Sequence, residues 1–291
     1  MKFFLFKLTL LSTAILPLKL IHFLGMLMGK ISWQSNSRIR RIAEKNIKLC
    51  FPELTHLQQE ELVKKSLYET GKVILETGKM WLGNTHKTLQ LVKKIENQLL
   101  IDDALKNNKG VIIAMPHYGS WELTSLYCAE HYPMTTMYAP QEDLKVENLM
   151  RQARQRTGAK LVPIDNSGIR AMSKALKQSE LISILPDQSP KNNGLFVPFF
   201  GQPCYTMTLL SKLAQKNNAT VIFTYAKRLD DSSGFEIIFR ESGKDLSKLG
   251  LEDSVAQMNL DIEKLIRETP YQYQWTYKRF KEQEEGKPSV Y

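Results

Sequence analysis

Among the five histidines of this chain, His117 stands where acid–base chemistry could be done. The run Met115-Pro116-His117-Tyr118-Gly119-Ser120-Trp121-Glu122 sets a carboxylate five residues after the imidazole. On one continuous helix the two side chains would diverge by roughly 140° and could not pair. They can meet only if His117 precedes the helix. The sequence supplies that break: Pro116 closes an apolar run, Gly119 permits an unusual turn, and a helical pattern starts at Trp121. A neutral imidazole oriented by Glu122 is a general base suited to a hydroxyl, and the first turn of the helix offers amide N–H groups to a developing oxyanion. The helix dipole opposes a positive imidazole while Glu122 supports it, so no net pKa follows. A half-buried histidine satisfied by a carboxylate has the same spacing, and the surroundings must decide between the two.

Other residues invite the same weighing. Arg151, Arg154, Arg156 and Lys160 crowd the end of one helical pattern and the loop after it. Guanidinium forks suit phosphate and carboxylate oxygens, which makes Arg154 and Arg156 candidates for an anionic substrate group; a solvated helix face reads equally well for each. Asp187 follows the strand-like run LISIL and is placed for a site at a strand end, although Asp-Gln-Ser-Pro is also an ordinary turn. The apolar run 195–200 contains Pro198, which excludes a central strand; it could line an apolar groove or simply pack a loop. Cys128 falls in an apolar helical stretch where a thiol is inert, and Ser120 lies outside any G-x-S-x-G. Three widely spaced cysteines, no HExxH and no glycine-rich phosphate loop argue against a disulfide framework, a metal site or nucleotide chemistry.

The elements that must position these residues form two grammars. From residue 110, runs rich in β-formers at 111–115, 135–138, 160–163, 181–185 and 220–226 alternate with helical stretches at about 119–131, 142–157, 168–178 and 205–217. Successive βα units predict an α/β fold with a mostly parallel central sheet flanked by helices, and 235–239 can add a late antiparallel strand. The first eighty or so residues read as helical throughout. Ile39, Ile42, Ala43 and Ile47 form one face of a helix whose other side carries Arg38, Arg41, Lys45 and Lys48; Pro52 ends it, and Thr55 with Gln58 reads as a capping box opening the next.

Residues 1–29 are the most apolar stretch, interrupted by Lys7, Pro17, Lys19 and His22, and a cleaved signal lacks an A-x-A site. An uncleaved membrane-anchor segment over 1–30 is expected, spanning the bilayer or dipping into it. The cationic residues after it favour the cytoplasmic side and anionic headgroups. A basic and helical region at 31–100, an α/β domain at 101–280 and a polar, frayed tail at 281–291 complete the expected organisation. The chain has 291 residues, 43% apolar and 24% charged, which is globular usage, with a net charge of +10 that must meet anions. Stacking aromatics are missing from the basic 38–48 stretch, which argues against nucleic acid.

The His117 block resembles the H-x4-D/E motif of the lysophospholipid acyltransferase superfamily, and the whole chain resembles its bacterial lipid A biosynthesis (lauroyl/myristoyl) acyltransferase branch. The resemblance is carried from about residue 35 to 240 by landmarks in order: Arg41-Ile-Ala-Glu-Lys-Asn46 with Cys50-Phe51-Pro52-Glu53, then Gly71 and Glu76, the H-x4-E block, the Arg151/Arg154/Arg156 cluster, Leu185-Pro186-Asp187-Gln188, and Val197-Pro198-Phe199-Phe200-Gly201. It implies a glycerolipid acyltransferase-like fold at the cytoplasmic side of the inner membrane. The implied reaction moves an acyl chain from an acyl carrier protein thioester to a hydroxyl of a phosphorylated lipid A precursor, without cofactor, metal or acyl-enzyme. His117 would be the base, Glu122 its partner, and Arg154, Arg156 and Asp187 substrate contacts. The same motif would serve a lysophospholipid or another glycolipid, with acyl carrier protein or coenzyme A as donor. A non-catalytic basic membrane-binding module is the reading from another class.

Overall fold

A computed structural model describes residues 2–291 of the chain, with Met1 and the side chain of Lys2 outside the described residues. The opening apolar stretch forms two helices, α1 (Lys2–Ile15) and α2 (Leu18–Gln34), separated at Pro17, whose ring cannot continue α1. Among the described residues no helix is long and apolar enough to cross a membrane. Both helices lie along α4 (His56–Leu82), reached through the basic helix α3 (Arg38–Cys50). The α2–α4 crossing is close because Gly25 and Gly71 face each other; a Cβ on Gly25 would meet the Lys72 amide nitrogen at 2.5 Å. Helix α3 buries Ile42, Ala43 and Ile47 and leaves Arg38, Arg41, Lys45 and Lys48 exposed, as its periodicity predicts. Thr55 and Gln58 close a reciprocal capping box at the start of α4.

After α5 (Thr85–Leu89), β1 (Val92–Glu96) and α6 (Leu99–Lys106), the alternating half begins. It runs β2 (Val111–Ala114), α7 (Trp121–His131), β3 (Met134–Tyr138), α8 (Leu144–Gln155), β4 (Lys160–Pro163), α9 (Asn166–Lys177) and β5 (Leu181–Ile184). There follow β6 (Gly194–Phe199), β7 (Gln202–Met207), α10 (Leu209–Asn217), β8 (Thr220–Arg228), β9 (Phe235–Glu241) and α11 (Leu251–Glu268). Seven strands form one sheet in the order β1-β9-β8-β2-β5-β3-β4, parallel at every pairing except the hairpin β8–β9. Its central strands β2 and β5 are buried at every residue, as a sheet covered on both faces requires. One apolar cluster gathers Ile112, Ile182 and Phe223 with α3, α4 and α11; the other gathers Val111, Ile113 and Ile222 with α6 and α7.

The apolar run at 195–200 stays out of the main sheet, as Pro198 requires: Gly194–Phe199 forms β6 of a separate antiparallel ribbon with β7, where Pro198 stands opposite Pro203, so neither proline costs the main sheet a hydrogen bond. That ribbon takes residues 202–207, and the helix expected from 205 starts at Leu209. At the C-terminal end Arg279 and Phe280 are buried, the Tyr291 hydroxyl bonds Asn46, and the Phe280 amide donates to that hydroxyl at 3.1 Å.

Candidate active site

The parallel register of β2 and β5 builds the site. Ala114 pairs with Ile184, and the Met115 amide continues the ladder to the Ile184 carbonyl at 2.9 Å. Three residues beyond that pair on each strand stand His117 and Asp187, each preceded by a proline that takes its chain out of the sheet. Adjacent strands therefore deliver an imidazole and a carboxylate to one spot at the carboxyl end of the sheet, where open α/β folds place their ligands. Asp187 grips His117 twice: Oδ2 accepts from its backbone amide at 2.9 Å, and Oδ1 lies 2.8 Å from Nδ1. The carboxylate is 2% exposed and the imidazole 17% exposed, so the pair is walled on one side and open on the other. Burial pushes the Asp187 carboxyl up, but the charge and hydrogen bonds of His117 outweigh it, and its pKa lies below the ordinary carboxylate value.

With Nδ1 donating to Asp187, Nε2 carries the ring's lone pair. The Gln188 amide lies 3.3 Å from it and also donates to Gln274 at 3.3 Å, while the Gln274 amide holds the His117 carbonyl at 3.0 Å. Trp121 packs edge-on against the imidazole, with ring centroids 5.1 Å apart.

Between His117 and α7 the chain turns through Gly119 at φ +61°, in the left-handed region, and a Cβ there would collide with the Ala226 carbonyl oxygen. The predicted break is thus real, and it is clamped onto β8: Ser120 donates its amide to Ala226 at 2.8 Å, and Gly119 donates to the Gln272 carbonyl at 3.1 Å. Ser120 occupies the N-cap of α7 without a side-chain cap bond.

Glu122, expected on the imidazole, instead takes Arg154 in a two-pronged pair, Oε2 accepting from Nε at 3.2 Å and Oε1 from the terminal nitrogen. Arg154 reaches it from the last turn of α8. A narrow crevice of about 10 Å³ beside this pair is lined by Val73, Glu76, Thr77, Met80, Ser120, Trp121 and Glu122. The guanidinium of Arg156 is directed to backbone, donating to the carbonyls of Met80 at 2.6 Å, Gly83 at 2.5 Å and Trp81 at 3.3 Å, which closes the C-terminal end of α4. Arg151 is exposed, near the Tyr138 ring. Cys128 is buried, and burial pushes its thiol up to about 12, far from a thiolate at neutral pH.

Sequence reasoning weighed Asp187 by its own turn and missed its pairing with His117. A signal was present: Ile-Ala-Met-Pro-His at 113–117 and Ser-Ile-Leu-Pro-Asp at 183–187 are the same strand-end pattern with two halves of an acid–base pair at the same offset.

Residues 1–282 match the family model described as "Bacterial lipid A biosynthesis acyltransferase". The chain is 28% identical over 279 residues to "Lipid A biosynthesis lauroyltransferase" of Escherichia coli, covering 95% of this chain and 90% of that protein. It is 29% identical over 287 residues to "Lipid A biosynthesis acyltransferase" of Haemophilus influenzae, covering 96% and 90%. Against "Lipid A biosynthesis palmitoleoyltransferase" of Escherichia coli the identity is 27% over 280 residues, again covering 95% and 90%.

Proposed function

This chain belongs to the bacterial lipid A biosynthesis acyltransferases, and from that premise we propose that it adds a secondary acyl chain to a lipid A precursor, taking the acyl group from an acyl carrier protein thioester, with His117 as general base. The observation that carries the reading is the His117–Asp187 pair: a part-open imidazole whose Nδ1 is committed to a buried carboxylate and whose Nε2 remains basic. In the step, Nε2 takes the proton of an acceptor hydroxyl as its oxygen bonds to the thioester carbonyl carbon. The oxyanion is met by first-turn amides of α7 and by Arg154, which Glu122 holds in place. Collapse breaks the carbon–sulfur bond, and the imidazolium returns its proton to the departing thiolate. A thioester is already activated, so no covalent acyl-enzyme is needed. Asp187 therefore takes the orienting part expected of Glu122, Arg154 serves the substrate, and Arg156 serves the end of α4.

A membrane-bound position is supported by side chains that α1 and α2 turn outward, among them Phe4, Leu8, Leu11, Ile15, Phe23 and Ile31, the most open of them 84% exposed. Exposed Arg38, Arg41, Lys45 and Lys48 on the neighbouring α3 suit anionic headgroups on the cytoplasmic side of the inner membrane. Mass spectrometry of lipid A from cells with and without the gene tests the acceptor: loss of one secondary acyl chain is expected, and unchanged lipid A with an altered phospholipid would overturn it. Purified enzyme offered acyl carrier protein and coenzyme A thioesters of one chain length tests the donor; faster transfer from coenzyme A would overturn the donor assignment.

A further inference from the structure

Behind the catalytic turn lies a second charged cluster, almost wholly enclosed, that the proposed reaction does not use. Arg228, the last residue of β8, and Glu76, in the C-terminal third of α4, are each 1% exposed. The guanidinium straddles the carboxylate, Nε to Oε1 at 2.6 Å and a terminal nitrogen to Oε2 at 2.7 Å. Its other arm reaches Glu69 one side away at 3.4 Å. The nitrogen that holds Glu76 Oε2 also donates to the carbonyl of Gly119, at 3.1 Å, so the fork carries the left-handed residue of the His117 turn. The backbone of Arg228 is fixed by Gln272, whose side-chain oxygen accepts from its amide at 2.9 Å and whose side-chain nitrogen donates to its carbonyl at 3.1 Å; the carbonyl of the same Gln272 accepts the Gly119 amide. Both backbone polar groups of Gly119 thus end on Arg228 or on the residue locked to it.

The cluster has a third side. His22, 2% exposed on α2, places Nε2 2.7 Å from Glu76 Oε1, one turn before the Gly25–Gly71 approach. Burial alone would push the Glu76 carboxyl up, but Arg228 and His22 hold it well below the usual range, so a charged carboxylate persists there. We infer that Arg228, held by Glu76 and Glu69, is a positioning residue for the catalytic turn, and that His22 makes its position depend on the seating of α2 against α4. An ion pair this enclosed is poor evidence of net stabilisation, since its desolvation offsets its attraction. What it supplies is direction: one fork fixed at both ends, aimed at one carbonyl.

The inference rests on His117 being the base, and the test separates the two. Arg228→Lys keeps the positive charge that Glu76 and Glu69 need, yet a single ammonium cannot hold both Glu76 oxygens and the Gly119 carbonyl in fork geometry. Full-length folded protein, wild type and variant, is compared by amide hydrogen exchange over 115–122 and by acyl-transfer kinetics. The expected result is at least tenfold faster exchange at Gly119 and Ser120 with α9 and β5 unchanged. With it goes a kcat lowered about 10- to 100-fold at a KM within about threefold, the mark of a displaced rather than unfolded site. Wild-type exchange and wild-type kcat in Arg228→Lys overturn the inference. Faster exchange in a chain whose wild type transfers no acyl group leaves the clamp standing and removes the catalytic reading. His22→Leu is expected to raise the same exchange to a smaller extent; exchange equal to wild type overturns the part assigned to α2.

Discussion

Asp187 and Glu76 are both buried carboxylates with a histidine 2.7–2.8 Å away, and they do different work. Asp187 faces an imidazole that is open on its far side, so in the proposed reaction the charge it would stabilise is the one that forms when Nε2 takes the acceptor's proton. Glu76 faces a guanidinium that cannot lose its proton, and both groups are enclosed, so the fork holds one geometry. Chemistry needs the first arrangement, and accurate placement needs the second. The Gly119 turn joins them, with the acid–base pair on one side and the fork on the other.

The largest effect expected from breaking this comparison is at the open pair. Asp187→Asn keeps the shape but offers Nδ1 a poorer partner for the imidazolium and allows the wrong tautomer, so kcat falls about 10²- to 10⁴-fold with little change in KM, read from steady-state transfer. Glu122→Gln, which leaves the imidazole partner untouched, should cost less than Asp187→Asn; the reverse order would return the orienting role to Glu122. At the closed pair the main loss is in folding. Glu76→Gln leaves Arg228 with an uncharged partner inside the protein and is expected to destabilise by about 3–5 kcal/mol in denaturant unfolding. Arg156→Ala, which frees three carbonyls at the end of α4, should lower stability by about 2 kcal/mol while kcat per folded molecule changes by less than about threefold.

The smallest effect sharpens the comparison by pH. Both carboxyls have folded-state pKa values below their unfolded ones, so the folded chain binds fewer protons and stability rises with pH up to the unfolded carboxylate range. Their contributions are fully present above about pH 4–5 and are lost as pH falls toward the folded values. Stability measured between pH 5 and pH 3 should therefore fall less steeply in Glu76→Gln than in the wild type, and the same holds more weakly for Asp187→Asn.

Much of the fold could be read in advance because its signals are local. Alternating β-rich runs and amphipathic stretches located β2, β3, β4, β5, β8 and β9, and the apolar periodicity of 39–47 located the buried face of α3. Strand β1 was not legible: Val-Lys-Lys-Ile-Glu is mostly polar and exposed, and it exists because β9 offers it an edge. The Gly119 turn was legible from a glycine between a proline-ended strand and a helix. The partner of His117 was not, because that contact depends on β5 lying beside β2, a long-range register that spacing within one motif cannot report. Glu122 fell to Arg154 for the same reason, since α8 brings the guanidinium from 32 residues away. Gly71 and Glu76 stood out as family landmarks with no local explanation; the close crossing of α2 and the Arg228 fork provide it.

The central claim is that a proton passes through His117, and the rate of acyl transfer by purified, folded His117→Ala from an acyl carrier protein thioester to a lipid A precursor tests it most directly. The account predicts a fall of about 10²- to 10⁴-fold in turnover per folded molecule. Turnover within about threefold of the wild type would contradict it.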